Sequence, residues 1–334
     1  MIKMKMSVST LLKEYAKLSS AHFAVLSAMI PLMGAIVMGE INFFRLLLVF
    51  LIGLFTHIYV FAFNHYCDVE LDRLNPELAE RPLVKGTISK KHALIYIISM
   101  LLVALLLTIT YLDLVVLVLF LLGILFATLY DLFNKKIYGG DIILAASVTV
   151  GCMFGSSTVS LKFTDLTYII WMLAFIQGLN MNLVGGGLKD AVHDHIKTSK
   201  TVAVKFGVTL ENRILKVPIS FKVIAFILGI IYAVISLSPF VLGIVEFQIW
   251  QFLMIIILNM LYLLVVRTLL ASGPYDRNKI RVKIVIHSNI NWCIIPILLM
   301  SVTKWAFILL FLPLIGNIIS NFIIYRTIIG PKMM

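Results

Sequence analysis

Apolar residues stand along this chain in long unbroken blocks separated by short polar segments, not in alternation with polar residues. The blocks lie near 22–38, 43–63, 92–110, 112–130, 141–160, 166–186, 218–238, 246–270, 284–302 and 305–325. Each is close to the ~20 residues that cross a bilayer core as a helix. Backbone in lipid must satisfy its own hydrogen bonds, so the blocks read as helices. Continuous runs without period-two alternation exclude a membrane β-barrel. The pattern predicts an all-α polytopic membrane protein with nine or ten spans in one domain, residues 1–334. The last two blocks carry the ambiguity, because His287, Asn289 and Asn291 make the ninth more polar than the rest.

Composition agrees with the pattern. Hydrophobic residues make up 61% of the 334 and charged residues 13%, against roughly 45–50% and 25% in soluble domains. Mean hydropathy is +1.05. A soluble enzyme, a disordered chain and a disulfide scaffold are excluded. Cys67, Cys152 and Cys293 lack metal-ligand spacing. The basic, amphipathic segment up to Ser20 does not read as a cleavable signal peptide.

The net charge of +12 is distributed by loop. Lys3, Lys5, Lys13 and Lys17 precede the first block, and Arg73, Arg81, Lys85, Lys90 and Lys91 follow the second. Lys135 and Lys136, then Lys189 to Lys216, then Arg277 to Lys283 occupy the later even-numbered loops. The odd-numbered loops are short and nearly free of cations. The positive-inside rule places the N-terminus and the even loops in the cytoplasm of a cell-membrane protein. Cations so placed set topology, so the charge does not indicate a nucleic-acid partner, and no obligate protein partner is evident.

The same loops hold the chemistry. The second block continues as Asn64-His65-Tyr66-Cys67-Asp68-Val69-Glu70-Leu71-Asp72. On a helix, Asn64, Asp68 and Asp72 share one face at i, i+4 and i+8. Two stacked carboxylates repel unless a cation lies between them, and hard oxygen ligands suit Mg²⁺ or Ca²⁺. Asp190 and Asp194 repeat the i, i+4 stack after the sixth block. Both stacks sit at the ends of even spans, four spans apart. If the bundle joins those ends, the carboxylates can share Mg²⁺ ions that also take substrate phosphate oxygens. Arg73, Arg81, Lys135, Lys136, Lys189 and Lys197 stand near the two stacks, as phosphate partners would. His65, His193 and His195 read as solvated loop residues beside this hard-ligand set. Gln177, Asn180 and Asn182, inside the sixth block, are weak candidates for an interior wall. A secondary transporter with the aspartates as an ion site is the rival reading, although transporter sites lie at mid-membrane.

Asn64-x-x-x-Asp68-x-x-x-Asp72 with Arg81-Pro82-Leu83-Val84-Lys85-Gly86, within residues 64–89, resembles the first signature of UbiA-type intramembrane prenyltransferases. Lys189-Asp190-x-x-x-Asp194 with Lys200-Thr201-Val202-Ala203-Val204-Lys205, within residues 185–207, resembles the second. Tyr130-Asp131-x-x-x-Lys135-Lys136 resembles the segment between them. The sequence departs from the family at His65, at His193 and at Ala191-Val192, leaving the four aspartates intact. The resemblance implies a helical bundle around a central cavity opening near the cytoplasmic side. It implies Mg²⁺ as cofactor, held by Asp68, Asp72, Asp190 and Asp194 with Asn64 assisting. Arg81, Lys135 and Lys189 would bind the diphosphate and Tyr130 would line the reacting end. The implied substrates are a polyprenyl diphosphate and either an aromatic quinone precursor or the hydroxyl of geranylgeranylglyceryl phosphate. Membrane lipid is the remaining partner.

Overall fold

The computed structural model describes residues 7–111, 113–190 and 199–327. Asp194, His193, His195 and Lys197 lie outside the described residues. Among the described residues, nine helices are long and apolar enough to cross a membrane, or ten if the bent N-terminal pair counts as one more.

The elements run in order. They are α1 (Val8–Leu18), α2 (Ala24–Val37), α3 (Phe43–Asp72), the short α4 (Pro82–Lys85), α5 (Lys90–Ile109), α6 (Leu114–Phe133) and α7 (Gly140–Ser157). Next come α8 (Asp165–Leu179), the short α9 (Val202–Lys205), α10 (Ile219–Val241), α11 (Ile249–Leu269), α12 (Arg277–Leu299) and α13 (Ile308–Tyr325). The ambiguity expected at the last two blocks belongs instead to the first. Both α12 and the Lys304–Tyr325 segment pass the length and polarity test, whereas α1 and the following helix bend by 64° at Ser20. Ser20 takes a left-handed φ of 46° there, a conformation that breaks helical continuity.

Capping residues set several helix starts. Asn42 accepts from the backbone of Phe44 and Arg45, and Asp113 from Val115 and Val116. Asp276 accepts from Asn278 and Lys279. Such caps are worth about 1 kcal/mol each.

The helices pack through small residues where lipid gives no hydrophobic drive between them. α2 crosses α7 so closely that a Cβ at Gly155 would sit 1.8 Å from the Pro31 carbonyl oxygen. A Cβ at Gly34 would meet the Cys152 carbonyl oxygen at 2.0 Å. One core cluster joins α2, α8 and α12 around Trp171 and Trp292, and a second joins α3, α5 and α6. Side chains such as Leu106, Leu114 and Ile219 face outward. A soluble monomer would not tolerate so much exposed apolar surface.

Two features matter for the site. α3 has 30 residues, about 45 Å at 1.5 Å per residue, against a hydrocarbon core of about 30 Å. The helix is longer than an untilted span needs, and its last turns carry the polar run from Asn64 to Asp72. A small antiparallel ribbon, absent from the all-helical expectation, joins Thr209–Glu211, Ile214–Lys216 and Gly273–Pro274. Its hairpin turns on Asn212 and Arg213, both with positive φ, as a two-residue type I′ loop requires.

Candidate active site

The long helix α3 carries Asn64, Asp68 and Asp72 to the end of the bundle on one face. Asp68 and Asp72 are buried. A carboxylate so placed needs a partner, and each finds a cation from a different loop. Arg81 Nη1 donates to Asp72 Oδ2 at 2.5 Å, and Lys135 Nζ donates to Asp68 Oδ2 at 2.9 Å. Arg81 reaches back because the chain turns after α3 through a short 3₁₀ segment, Pro76–Leu78, into α4.

Lys135 is thereby distinguished from Lys136. The Lys136 ammonium lies instead over the Phe133 ring at 5.6 Å. Asn64 Nδ2 donates to Asp131 Oδ1 at 2.9 Å. The buried Asp131, which spacing had not singled out, thus orients Asn64.

Asp190 follows α8 through a wide π-helical turn, Asn180–Gly186. Such bulges re-aim side chains and cluster at functional sites. Gly187, next in the chain, lies so close to α9 that a Cβ would fall 2.9 Å from the Ala203 Cβ. Lys189 Nζ lies 3.6 Å from Asp190 Oδ2. Arg277 Nη2 donates to Asp190 Oδ1 at 3.4 Å, and Arg277 Nη1 pairs with Glu77. The sequence marked Arg277 only as a loop cation and Glu77 not at all, and 200 residues separate them.

Tyr130 Oη donates to Asn182 Oδ1 at 3.0 Å, and Asn182 Nδ2 donates to Asp141 Oδ1 at 2.7 Å. Tyr130, Lys135, Asp141, Asn182 and Asp190 line one small polar cavity with Thr201. Asn182 is therefore a wall residue, while Gln177 and Asn180 are buried elsewhere in the bundle. His65 is a correction. It was expected to be solvated, but α3 continues nine residues past the apolar block and turns His65 inward, where it is buried and bonds the Leu18 backbone. His287 and Asn291 are also buried. The His287 ring packs on Tyr262 at 4.8 Å, and Tyr232 Oη donates to the Asn291 carbonyl at 3.1 Å.

Beneath the charged end lies an apolar cavity of about 230 Å³ between α2, α3, α6, α7, α8 and α12. Val60, Ala127 and Met181 line it, each within about one helical turn of Asn64, Tyr130 and Asn182. A single water needs ~15 Å³ by this measure, so the space suits an apolar chain with Phe61, Phe154 and Trp292 on its walls.

The model of the UbiA prenyltransferase family matches residues 25–290. The chain belongs to the UbiA prenyltransferase family. Digeranylgeranylglyceryl phosphate synthase of Archaeoglobus fulgidus is 26% identical over 171 residues, which cover 50% of this chain and 56% of that protein. The chain thus spans little more than half of this curated relative. Among solved structures, one from work on digeranylgeranylglyceryl phosphate synthase in membranes superposes with a TM-score of 0.63 at 21% identity. It covers 88% of this chain and 98% of that one. A UbiA homologue from Archaeoglobus fulgidus bound to GPP and Mg²⁺ gives a TM-score of 0.61 at 18% identity, covering 84% and 99%. The apo UbiA homologue of Aeropyrum pernix K1 gives 0.63 at 13% identity, covering 85% and 98%. Identities this low establish the shared UbiA fold.

Proposed function

We propose that this UbiA-family chain transfers a polyprenyl group from an allylic prenyl diphosphate to a lipid-pathway acceptor, releasing diphosphate. One observation carries the reading. Carboxylates from two distant segments, each already paired with a cation, come together where Lys135 bonds Asp68 and shares a small polar cavity with Asp190, and an apolar cavity lies along the same helices. A transported cation would need the acids without the lysines and arginine. A metal-bridged polyanion uses both.

The donor set fits Mg²⁺. Asp68, Asp72 and Asp190 offer hard oxygens, and spacing adds Asp194. No group of three or more potential ligands is clustered among the described residues. Mg²⁺ takes one or two carboxylates and fills its remaining positions with substrate oxygens and water. When bound, Mg²⁺ supplies Lewis-acid neutralisation of the charge that grows on the departing diphosphate.

The chain's own residues supply the rest. Arg81, Lys135 and Lys189 bind the diphosphate oxygens with charge-assisted hydrogen bonds, each of them already held within reach by an aspartate. Asn64, oriented by Asp131, and Tyr130, oriented by Asn182, stand about one helical turn from Val60 and Ala127 of the apolar cavity. There the C1–O bond of the donor breaks and an allylic cation develops. The apolar walls exclude water that would quench that cation, and aromatic faces stabilise positive charge. The acceptor attacks C1 and loses its proton.

Similarity to the Archaeoglobus synthase supports the hydroxyl of geranylgeranylglyceryl phosphate over an aromatic ring. The charge pattern of the loops supports a cell-membrane location with the site and the N-terminus on the cytoplasmic side.

The test is incubation of the detergent-purified protein with Mg²⁺, geranylgeranyl diphosphate and a pool of glycerol-phosphate lipids and hydroxybenzoate- or naphthoate-type rings. Mass spectrometry reads the products. A prenylated glycerol-phosphate lipid is expected. A prenylated ring would change the acceptor. No product at any donor length, with ion flux in sealed vesicles, would replace the enzyme by a transporter.

A further inference from the structure

The small ribbon fixes the loop between α11 and α12. Its third strand, Gly273–Pro274, pairs with Ile214–Lys216. The Tyr275 N–H donates to the Arg213 carbonyl at 2.8 Å, and the Val217 N–H to Ser272 Oγ at 3.1 Å. These bonds aim the next residues at the end of α8. Tyr275 Oη donates to the Lys189 carbonyl at 3.0 Å. Burial pushes the Tyr275 hydroxyl up to about 12, so it stays a donor across the physiological range.

Arg277, two residues on, opens α12 and is only 8% exposed. One arm of its guanidinium pairs with Glu77, in the loop after the first aspartate stack, and the other with Asp190 of the second. A surface ion pair would carry little weight. This cation is buried, so removing one of its two carboxylates leaves it less well compensated inside the protein. The planar fork of arginine can address two carboxylates at once, which a lysine ammonium does less well.

We propose that Arg277 is a positioning residue that ties the loop carrying Arg81 to the second aspartate stack, so that the two motifs bind the diphosphate as one unit. The consequence for catalysis rests on the prenyl-transfer reading; the tie itself does not.

The variants are Arg277→Gln, Arg277→Lys, Glu77→Gln and the Arg277→Gln/Glu77→Gln pair, each in the full chain purified in detergent. Hydrogen exchange is read over residues 74–89 in protein without substrate, with residues 114–157 as the folding control. Glu77 is about half exposed, so Glu77→Gln decides the matter if Arg277→Gln fails to fold. Each glutamine variant is expected to raise exchange over 74–89 about tenfold. The pair should do no more than either alone, since residues acting through one contact are not additive. Arg277→Lys should restore the protection only in part. KM for geranylgeranyl diphosphate should rise about tenfold in both single glutamine variants while kcat changes less than about threefold, as expected when ground-state and transition-state binding are lost equally. Unchanged exchange in Glu77→Gln, or additive effects in the pair, would overturn the tie. Raised exchange with an unchanged KM would overturn the positioning role. Raised exchange in a protein whose wild type transfers no prenyl group would leave the tie standing and remove the catalytic reading.

Discussion

Lys135 and Lys136 are adjacent, equally charged and equally plausible by sequence, so replacing each with methionine isolates geometry from charge. Methionine keeps the length of the stem and removes the ammonium. Lys135 Nζ stands 2.9 Å from Asp68 Oδ2, and Lys135 lines the small polar cavity with Asp190. In the substrate complex it is expected to donate to diphosphate. A hydrogen bond to a charged group is worth about 1.5–3 kcal/mol, and each ~1.4 kcal/mol is tenfold in rate. Lys135→Met should therefore lower kcat/KM for the prenyl diphosphate by about 10- to 150-fold. Lys136 faces the Phe133 ring at 5.6 Å. Its loss should change kcat/KM less than about threefold, the effect of a surface charge acting at a distance through screening salt. Both variants are assayed by product formation under saturating acceptor, with an Mg²⁺ titration for each. Equal losses would refute the argument, because they would mean that bulk positive charge, not the contact with Asp68, holds the donor.

Other outcomes follow from single contacts. Gly155→Ala places a methyl group against the Pro31 carbonyl; overpacking of this kind costs about 1–3 kcal/mol, and a lowered unfolding midpoint in detergent would show it. A Cβ at Gly123, on the cavity wall, would meet Val150 Cγ1 at 3.6 Å, an ordinary contact. Gly123→Phe should fill the cavity and shift preference toward shorter donors, read as a ratio of kcat/KM for geranyl over geranylgeranyl diphosphate. Tyr275 has its hydroxyl raised from the usual 10 to about 12 by burial. Between those values the unfolded chain releases that proton and the folded one keeps it, so stability is flat below pH 10 and falls from pH 10 to 12. Tyr275→Phe should reduce that fall in a thermal-melt series across pH.

The span pattern and the shared face of Asn64, Asp68 and Asp72 were legible because each depends on local periodicity; Asp194, the expected partner of Asp190, lies outside the described residues. Twenty apolar residues specify a span wherever they stand, and i, i+4 spacing specifies a shared helix face. What was not legible depends on where the chain returns. Arg277 meets Glu77 across 200 residues, and nothing local marks their pairing. His65 was misjudged because the apolar block ends at Phe63 while the helix runs on to Asp72, keeping the ring inside the bundle. The ribbon escaped because its strands have two or three residues each and its turn uses Asn212-Arg213 without a glycine. Asn182 looked like one of three equivalent polar residues. The π-helical turn is what sets it apart, by swinging its amide toward Tyr130 and Asp141.

The central claim is that Asp68 and Asp190, from opposite halves of the chain, serve one metal-dependent departure of diphosphate. Its most direct test is Mg²⁺-dependent diphosphate release from geranylgeranyl diphosphate by the purified protein, beside Asp68→Ala and Asp190→Ala of matched thermal stability. Release by the wild type that is abolished by EDTA, and lost in both variants, is the predicted result. Release that survives either substitution, or that ignores EDTA, would contradict it.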